Sequence, residues 1–286
     1  MLDVGSKVYH LERNQFGIIT KLDCDKCIID FDGLEIESSI NVLDFGIEID
    51  ESKKYSHLTT NCFGIGDNLV LSAAAKVLKQ RGHYVELSIF NHEELFIYNK
   101  NIDKINKINR AGLWHPINIL AKMLQVDYQI KPEIYLSQEE ETFGKNEINK
   151  IRDNRKLVVF VPHTQTIPCK LLNGWDDIIF NEDLRKELQF IYFGQESYER
   201  IENFNKYTIR QVASLIKNCD IYMGINTGLY HIAKCFNLKG FVLNRLESTI
   251  KEWGYTDDKH FLMDTDNSQI FLREFKKDWK KYLRAT

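Results

Sequence analysis

Along the first 45 residues, apolar and polar positions alternate in short runs. KVYHL, GIITKL, CIIDF and LEIES carry the period-two pattern of half-buried strands, and the turn formers Asn14, Asp23–Lys26 and Asp32–Gly33 separate them. Four or five strands in so short a stretch predict a small closed β-barrel over residues 1–46. The following IEIDESKK, residues 47–54, reads as a linker.

Beyond it the period changes. Ser56–Cys62 reads as a buried strand and Gly66–Arg81 as a helix with Leu69, Ala73, Val77 and Leu78 on its apolar face. Tyr84–Phe90 returns as a strand, which completes a β-α-β unit. A helix over Ile117–Leu124 and a short strand over Pro132–Ser137 follow. The alternation then repeats, with strands at Leu157–Pro162, Gln189–Gly194, Asp220–Gly224 and Leu238–Asn244. Helices fall at 173–187, Thr208–Asn218 and Gly228–Phe236, and a basic helix closes the chain at about Ser268–Leu283. This pattern predicts an α/β protein with two Rossmann-type halves, residues 55–150 and 151–286, joined near residues 140–156. A cleft between the halves is expected, with ligands at the carboxyl ends of the strands.

Composition adds little to this picture. With 286 residues, 43% hydrophobic and 28% charged, the chain is an ordinary globular protein. No apolar run approaches the roughly 18 residues of a membrane span. MLDVGSKVYH lacks the charged-then-apolar layout of a secretory signal, so the cytoplasm is the expected compartment. The six cysteines (Cys24, Cys27, Cys62, Cys169, Cys219 and Cys235) are scattered, and reduced thiols are expected. Cys24 and Cys27 have the spacing of half a zinc site with nothing to complete it, and read as a hairpin turn.

Charge changes the picture more. The net −3 conceals an acidic start: residues 1–50 carry −7, leaving +4 on residues 51–286. A surplus of carboxylates opposes binding to nucleic-acid phosphates, so the first module is expected to dock a protein partner.

Two turns carry candidate chemistry. In NCFGIGDNLVLSAAAKVLKQRG, residues 61–82, Gly64, Gly66 and Asp67 precede a helix. They are either a strain-relieving, capped turn or a place where a ligand approaches the backbone at a helix N-terminus. In CDIYMGINTGLYHIAKCF, residues 219–236, a strand ends in the polar turn Gly224-Ile225-Asn226-Thr227-Gly228 and a helix starts. His231 lies in the first turn or so of that helix, as a phosphate contact or as a packed residue.

The second stretch resembles the "G-x-D/N-T/S-G-x-x-H-x-A" signature of the heptosyltransferase-like glycosyltransferases of family 9. Three further stretches agree, in the right order: the Gly66-Asp67 turn, LAKMLQVDYQIKPEIYLSQEEE and VVFVPHTQTIPCKLLNGWDDII. The resemblance implies a GT-B arrangement, with an acceptor-binding first half and a second half that binds a nucleotide sugar. It implies Asp67 as general base, Lys170 balancing the diphosphate, and Gly66, Asn226, Thr227, Gly228 and His231 on the donor side. Glu196, with Glu199 as its rival, would hold the ribose hydroxyls.

Departures qualify the acceptor. Asn226 stands where heptosyltransferases often have aspartate, the first half is short, and the front module lies outside the family core. Together they point to an acceptor other than the usual lipopolysaccharide core. The front module itself, through Val4-Gly5, Val8, His10, Phe16-Gly17-Ile18 and Ile29-Asp30-Phe31, resembles Tudor/SH3-like modules.

Asp264 and Asp266 have the spacing used by metal-dependent glycosyltransferases but read as a loop before the last helix. No essential metal and no cofactor are expected, the nucleotide sugar being a co-substrate. The expected function is a metal-independent, inverting glycosyltransferase acting on a hydroxyl of a saccharide or lipid-linked glycan. The alternatives are a phage-type DNA glycosyltransferase acting on 5-hydroxymethylated cytosine, gripping DNA through Lys276, Lys277, Lys280, Lys281 and Arg284, and a non-catalytic nucleotide-sugar-binding protein.

Overall fold

The computed structural model describes residues 7–10, 15–22, 26–39, 43–44, 47–60, 64–108, 120–121, 124–126, 129–162, 175–193, 202–203, 206–244, 247–262 and 267–282. The chain divides into two units, Met1–Ile130 and Lys131–Thr286.

Unit 1 opens with β1 (Lys7–His10), β2 (Gln15–Leu22), β3 (Lys26–Phe31), β4 (Leu34–Ser39) and β5 (Leu43–Asp44). They form an antiparallel sheet in the order β4-β3-β2-β1-β5, so the expected strands are present. Asp32 and Gly33 turn β3 into β4 with φ of 54° and 94°, the paired positive values that a two-residue hairpin requires. Asp30 Oδ1 accepts from Gly33 N at 2.6 Å. Ile19 and Ile29 are buried on one face. The closed barrel expected here is instead an open sheet: among the described residues β5 pairs with β1 alone and β4 with β3 alone.

The stretch expected as a linker is also a strand. Ile47 and Ile49 alternate with acidic residues, and β6 (Ile47–Asp50) pairs antiparallel with β7 (Tyr55–Thr60). The turn between them is held by Asp50, whose Oδ1 accepts from Ser52 N and Lys53 N, both at 3.0 Å. After β7 come α1 (Ile65–Leu69), α2 (Leu71–Gln80), β8 (Tyr84–Ile89) and β9 (Lys104–Lys107), giving a sheet in the order β6-β7-β8-β9. The single helix expected over Gly66–Arg81 is broken at Val70. Leu69, Leu71, Ala74 and Leu78 are buried.

Unit 2 holds α3 (Gln138–Ile151), β10 (Lys156–Val161), α4 (Trp175–Ile179), α5 (Glu182–Glu187), β11 (Leu188–Tyr192) and β12 (Glu202–Asn203). It continues with α6 (Ile209–Lys217), β13 (Ile221–Ile225), α7 (Gly228–Cys235), β14 (Gly240–Asn244), α8 (Glu247–Trp253), β15 (Lys259–Leu262) and α9 (Asn267–Asp278). All six strands are parallel, in the order β12-β11-β10-β13-β14-β15. β10, β13 and β14 are near-continuous apolar runs, as expected of strands covered on both faces. The helix expected over 173–187 is split, because Asn181 caps a new start by accepting from Leu184 N at 3.2 Å. Residues 132–137, expected as a strand, belong to no sheet.

The expected boundary near residue 150 lies instead at 130, because α3 belongs to unit 2. Glu140 both completes the Ser137 capping box and pairs with Arg210 of α6, and Glu141 reaches Lys217 at 2.5 Å. Phe271 and Phe275 of α9 and the following Trp279 are buried at four-residue spacing, so α9 covers the sheet. Phe275 meets Phe241 of β14 edge-on at 4.8 Å. Among the described residues, no helix is long and apolar enough to cross a membrane.

Candidate functional site

In unit 2 the chain runs from the central β10 outward to β11 and β12, then returns to β13 on the other side. The order therefore reverses between β10 and β13, and in open parallel sheets the crevice at the carboxyl ends of such strands takes the ligand. At that end β13 gives way to Asn226, Thr227 and Gly228, which sit together at the start of α7. Gly224 brings the two strands into close register: a Cβ there would lie 2.2 Å from the Val161 carbonyl oxygen.

Thr227 is the N-cap of α7 in extended backbone, yet no side chain caps the helix. The first amides of a helix have no acceptor within it, and its dipole favours negative charge there. The Thr227 hydroxyl is buried beside the Tyr222 hydroxyl, toward which it can donate. Its neighbour, the Tyr222 hydroxyl, already donates to the Ile225 carbonyl at 2.7 Å.

Asn226 is held by β14. Its backbone N–H donates to the Leu243 carbonyl at 2.9 Å, and its Nδ2 donates to Asn244 Oδ1 at 3.0 Å. Asn244, fully buried, donates to Val242 O at 3.1 Å and to His260 Nδ1 at 3.2 Å. Asn244 and His260 have no motif to announce them; the one local signal was a polar residue ending the apolar run GFVLN.

His231 is placed with the packed residues. Its Nδ1 lies 2.9 Å from the Tyr255 hydroxyl, and its ring meets Trp253 and Tyr255 edge-on. Burial pushes its pKa down to about 3, so at neutral pH the ring has no charge to offer a phosphate.

Further along α7, Lys234 is buried between Asp257 and Asp258, at 3.0 and 2.9 Å, while Tyr230 donates to Asp258 at 2.6 Å. Desolvation pushes both carboxylates up. In Asp257 the ammonium groups of Lys131 and Lys234 overcome it and hold the pKa at about 2, whereas in the more deeply buried Asp258 desolvation wins. This cluster fixes α7 rather than serving as a site, since its charges are mutually satisfied.

Asp67 lies in unit 1, in the first turn of α1 and partly exposed, beside the buried Gly66. Its carboxylate folds back over the N-cap, so that a Cβ on Gly64 would lie 2.2 Å from Oδ2. The first glycine of the turn therefore makes room for this side chain. Lys170, Glu196, Glu199, Asp264, Asp266 and Arg284 lie outside the described residues. The first three follow β10 and β11 in the chain. Among the described residues, no three His, Cys, Asp or Glu side chains cluster as a metal site.

No protein-family model and no curated protein sequence matches this chain. Solved structures do. A glycosyl transferase family 9 protein from Veillonella parvula superposes with a TM-score of 0.55 at 13% identity, covering 79% of this chain and 89% of that one. The E. coli ADP-heptose lipopolysaccharide heptosyltransferase II gives 0.58 at 12% identity, over 78% of this chain and 98% of its own. The chain shares the heptosyltransferase fold. The dodecameric, iron-containing heptosyltransferase TibC, solved with ADP-D-β-D-heptose, gives 0.51 at 10% identity, and its likeness extends over 96% of this chain and 92% of that one. At such identities the likeness concerns the heptosyltransferase fold alone, and residue roles rest on the geometry above.

Proposed function

We propose that this chain is a glycosyltransferase that moves a sugar from a nucleoside-diphosphate donor to an acceptor hydroxyl. The observation that carries the reading is the start of α7, which no side chain caps, at the switch point of a parallel sheet. The heptosyltransferase fold supports it, and TibC's bound ADP-heptose makes an ADP-sugar the first donor to test.

In this reading the α7 amides and Thr227 hold the diphosphate, with Lys170 balancing its charge and Glu196 at the ribose. Asp67 takes the proton of the acceptor hydroxyl, whose oxygen attacks the anomeric carbon from the face opposite the diphosphate. The bond from that carbon to the diphosphate oxygen breaks, the configuration inverts, and the nucleoside diphosphate leaves. Charge developing on it is met by amides and a lysine rather than a divalent ion.

The test is a thermal-shift screen of ADP-, UDP-, GDP- and CDP-sugars, followed by Asp67→Asn and by chelation. A donor that raises Tm in both the wild type and Asp67→Asn, with turnover about 100-fold or more lower in the variant and unchanged by EDTA, is the expected result. No shift with any donor would sink the glycosyltransferase reading, and full turnover in Asp67→Asn would remove the base.

A further inference from the structure

We infer that Asn244 and His260 are positioning residues that set the direction in which the Asn226 amide faces, so that Asn226 offers a neutral hydrogen-bond acceptor to a donor hydroxyl. The inference rests on the nucleotide-sugar reading above.

The direction is set one hydrogen bond at a time. His260 Nε2 lies 2.9 Å from the Tyr255 carbonyl, which can only accept, so Nε2 carries the proton and Nδ1 is left as an acceptor. Asn244 turns one end of its amide to that Nδ1 and to the Val242 carbonyl, both acceptors, so this end is the NH2. Its Oδ1 is then the end facing Asn226, and the atom 3.0 Å away must be a donor. Asn226 therefore spends Nδ2 on Asn244, and its Oδ1 has no hydrogen bond among the described residues. The acceptor character of the Tyr255 backbone carbonyl is thus passed through the half-buried His260 and the buried Asn244 to the candidate donor site. Flipping Asn244 would set its oxygen against both His260 Nδ1 and the Val242 carbonyl, which opposes the alternative.

This bears on the aspartate that the signature also admits at position 226. A carboxylate there would face Asn244 Oδ1 with no proton between two acceptors, and would add negative charge beside a diphosphate. A protonated carboxyl could donate as the amide does. The titratable groups facing the relay are His260 itself, Tyr230, whose ring packs edge-on against it at 6.3 Å, and Tyr255, whose hydroxyl is engaged by His231.

The experiment compares wild type, Asn226→Asp, Asn226→Ala, Asn244→Ala and the double alanine variant as full chains. In Asn226→Asp the folded carboxyl pKa is raised above its unfolded value of about 3.9, so its stability deficit grows as pH rises. The expected Tm deficit is about 3–6 °C at pH 7.5, at least halving by about pH 4.5. A deficit that does not change with pH overturns the relay, and this measurement needs no ligand. Calorimetry with ADP-heptose should show Asn226→Asp and Asn244→Ala each binding about tenfold more weakly, and the double alanine variant no worse than Asn226→Ala. Wild-type affinity in a folded Asn244→Ala variant would equally overturn it. A wild-type chain that binds no nucleotide sugar overturns the function and the ligand's part in this inference, while the pH profile still decides the relay.

Discussion

The ring of His231 is 3% exposed, and burial alone lowers its pKa to about 3. An unfolded histidine titrates near 6.5, so between these values the unfolded chain binds the extra proton. This contribution to stability is complete above about pH 6.5 and is lost as pH falls toward 3, reaching about 2 kcal/mol by pH 5. His231→Gln keeps a polar partner for Tyr255 without that titration. Calorimetric melts at pH 7, 6 and 5 should show wild type losing more stability than the variant, and parallel declines would place the titration elsewhere. Local spacing made Asn226, Thr227 and Gly228 readable as one turn, because a strand end and a helix start lie within five residues. Nothing local distinguishes a histidine that packs from one that binds. Asn244 and His260 meet only because β14 and β15 run in parallel register, with Val242 opposite His260, and no pattern of neighbours in the chain encodes that pairing.

Helices α3 and α6 lie close because Gly144 has no side chain: a Cβ there would come 2.4 Å from the Ser214 carbonyl oxygen. Alanine is the better helix former by about 1 kcal/mol, so propensity alone favours Gly144→Ala. Overpacking against a backbone oxygen costs about 1–3 kcal/mol and requires the helices to separate, straining the Glu140–Arg210 pair. We expect a net loss of about 1–2 kcal/mol by urea denaturation, and equal or greater stability in the variant would show that the contact yields freely. The same packing explains the misplaced boundary. Charged residues dominate α3, and its partners on α6 lie some 70 positions away, so in the sequence it resembles a solvated connector. Buried strands were easier to read, since four or five consecutive apolar residues leave few alternatives. The strand at Ile47–Asp50 was missed because acidic residues mask its two-residue period.

At the scale of the whole chain, each unit has its own sheets, and of the described candidate donor-side residues Gly66 lies in unit 1 whereas Asn226, Thr227, Gly228 and His231 lie in unit 2. Tryptophan is distributed unevenly in the same way: Trp175, Trp253 and Trp279 belong to unit 2 and only Trp114 falls within unit 1. Trp175 and Trp279 are core residues beside Phe160 and Phe271. In a Trp114→Phe chain, tryptophan emission therefore reports the unfolding of unit 2 alone. A ligand that binds only the folded state adds about 2.7 kcal/mol at a hundredfold excess over Kd. For a unit of this size each kcal/mol moves Tm by about 2–4 °C, so saturating ADP-heptose should raise the emission-monitored midpoint by about 5–10 °C. Circular dichroism of the same sample follows both units. If its melt moves with ADP-heptose while the tryptophan midpoint does not, the nucleotide binds unit 1, and the α7 turn loses its assignment.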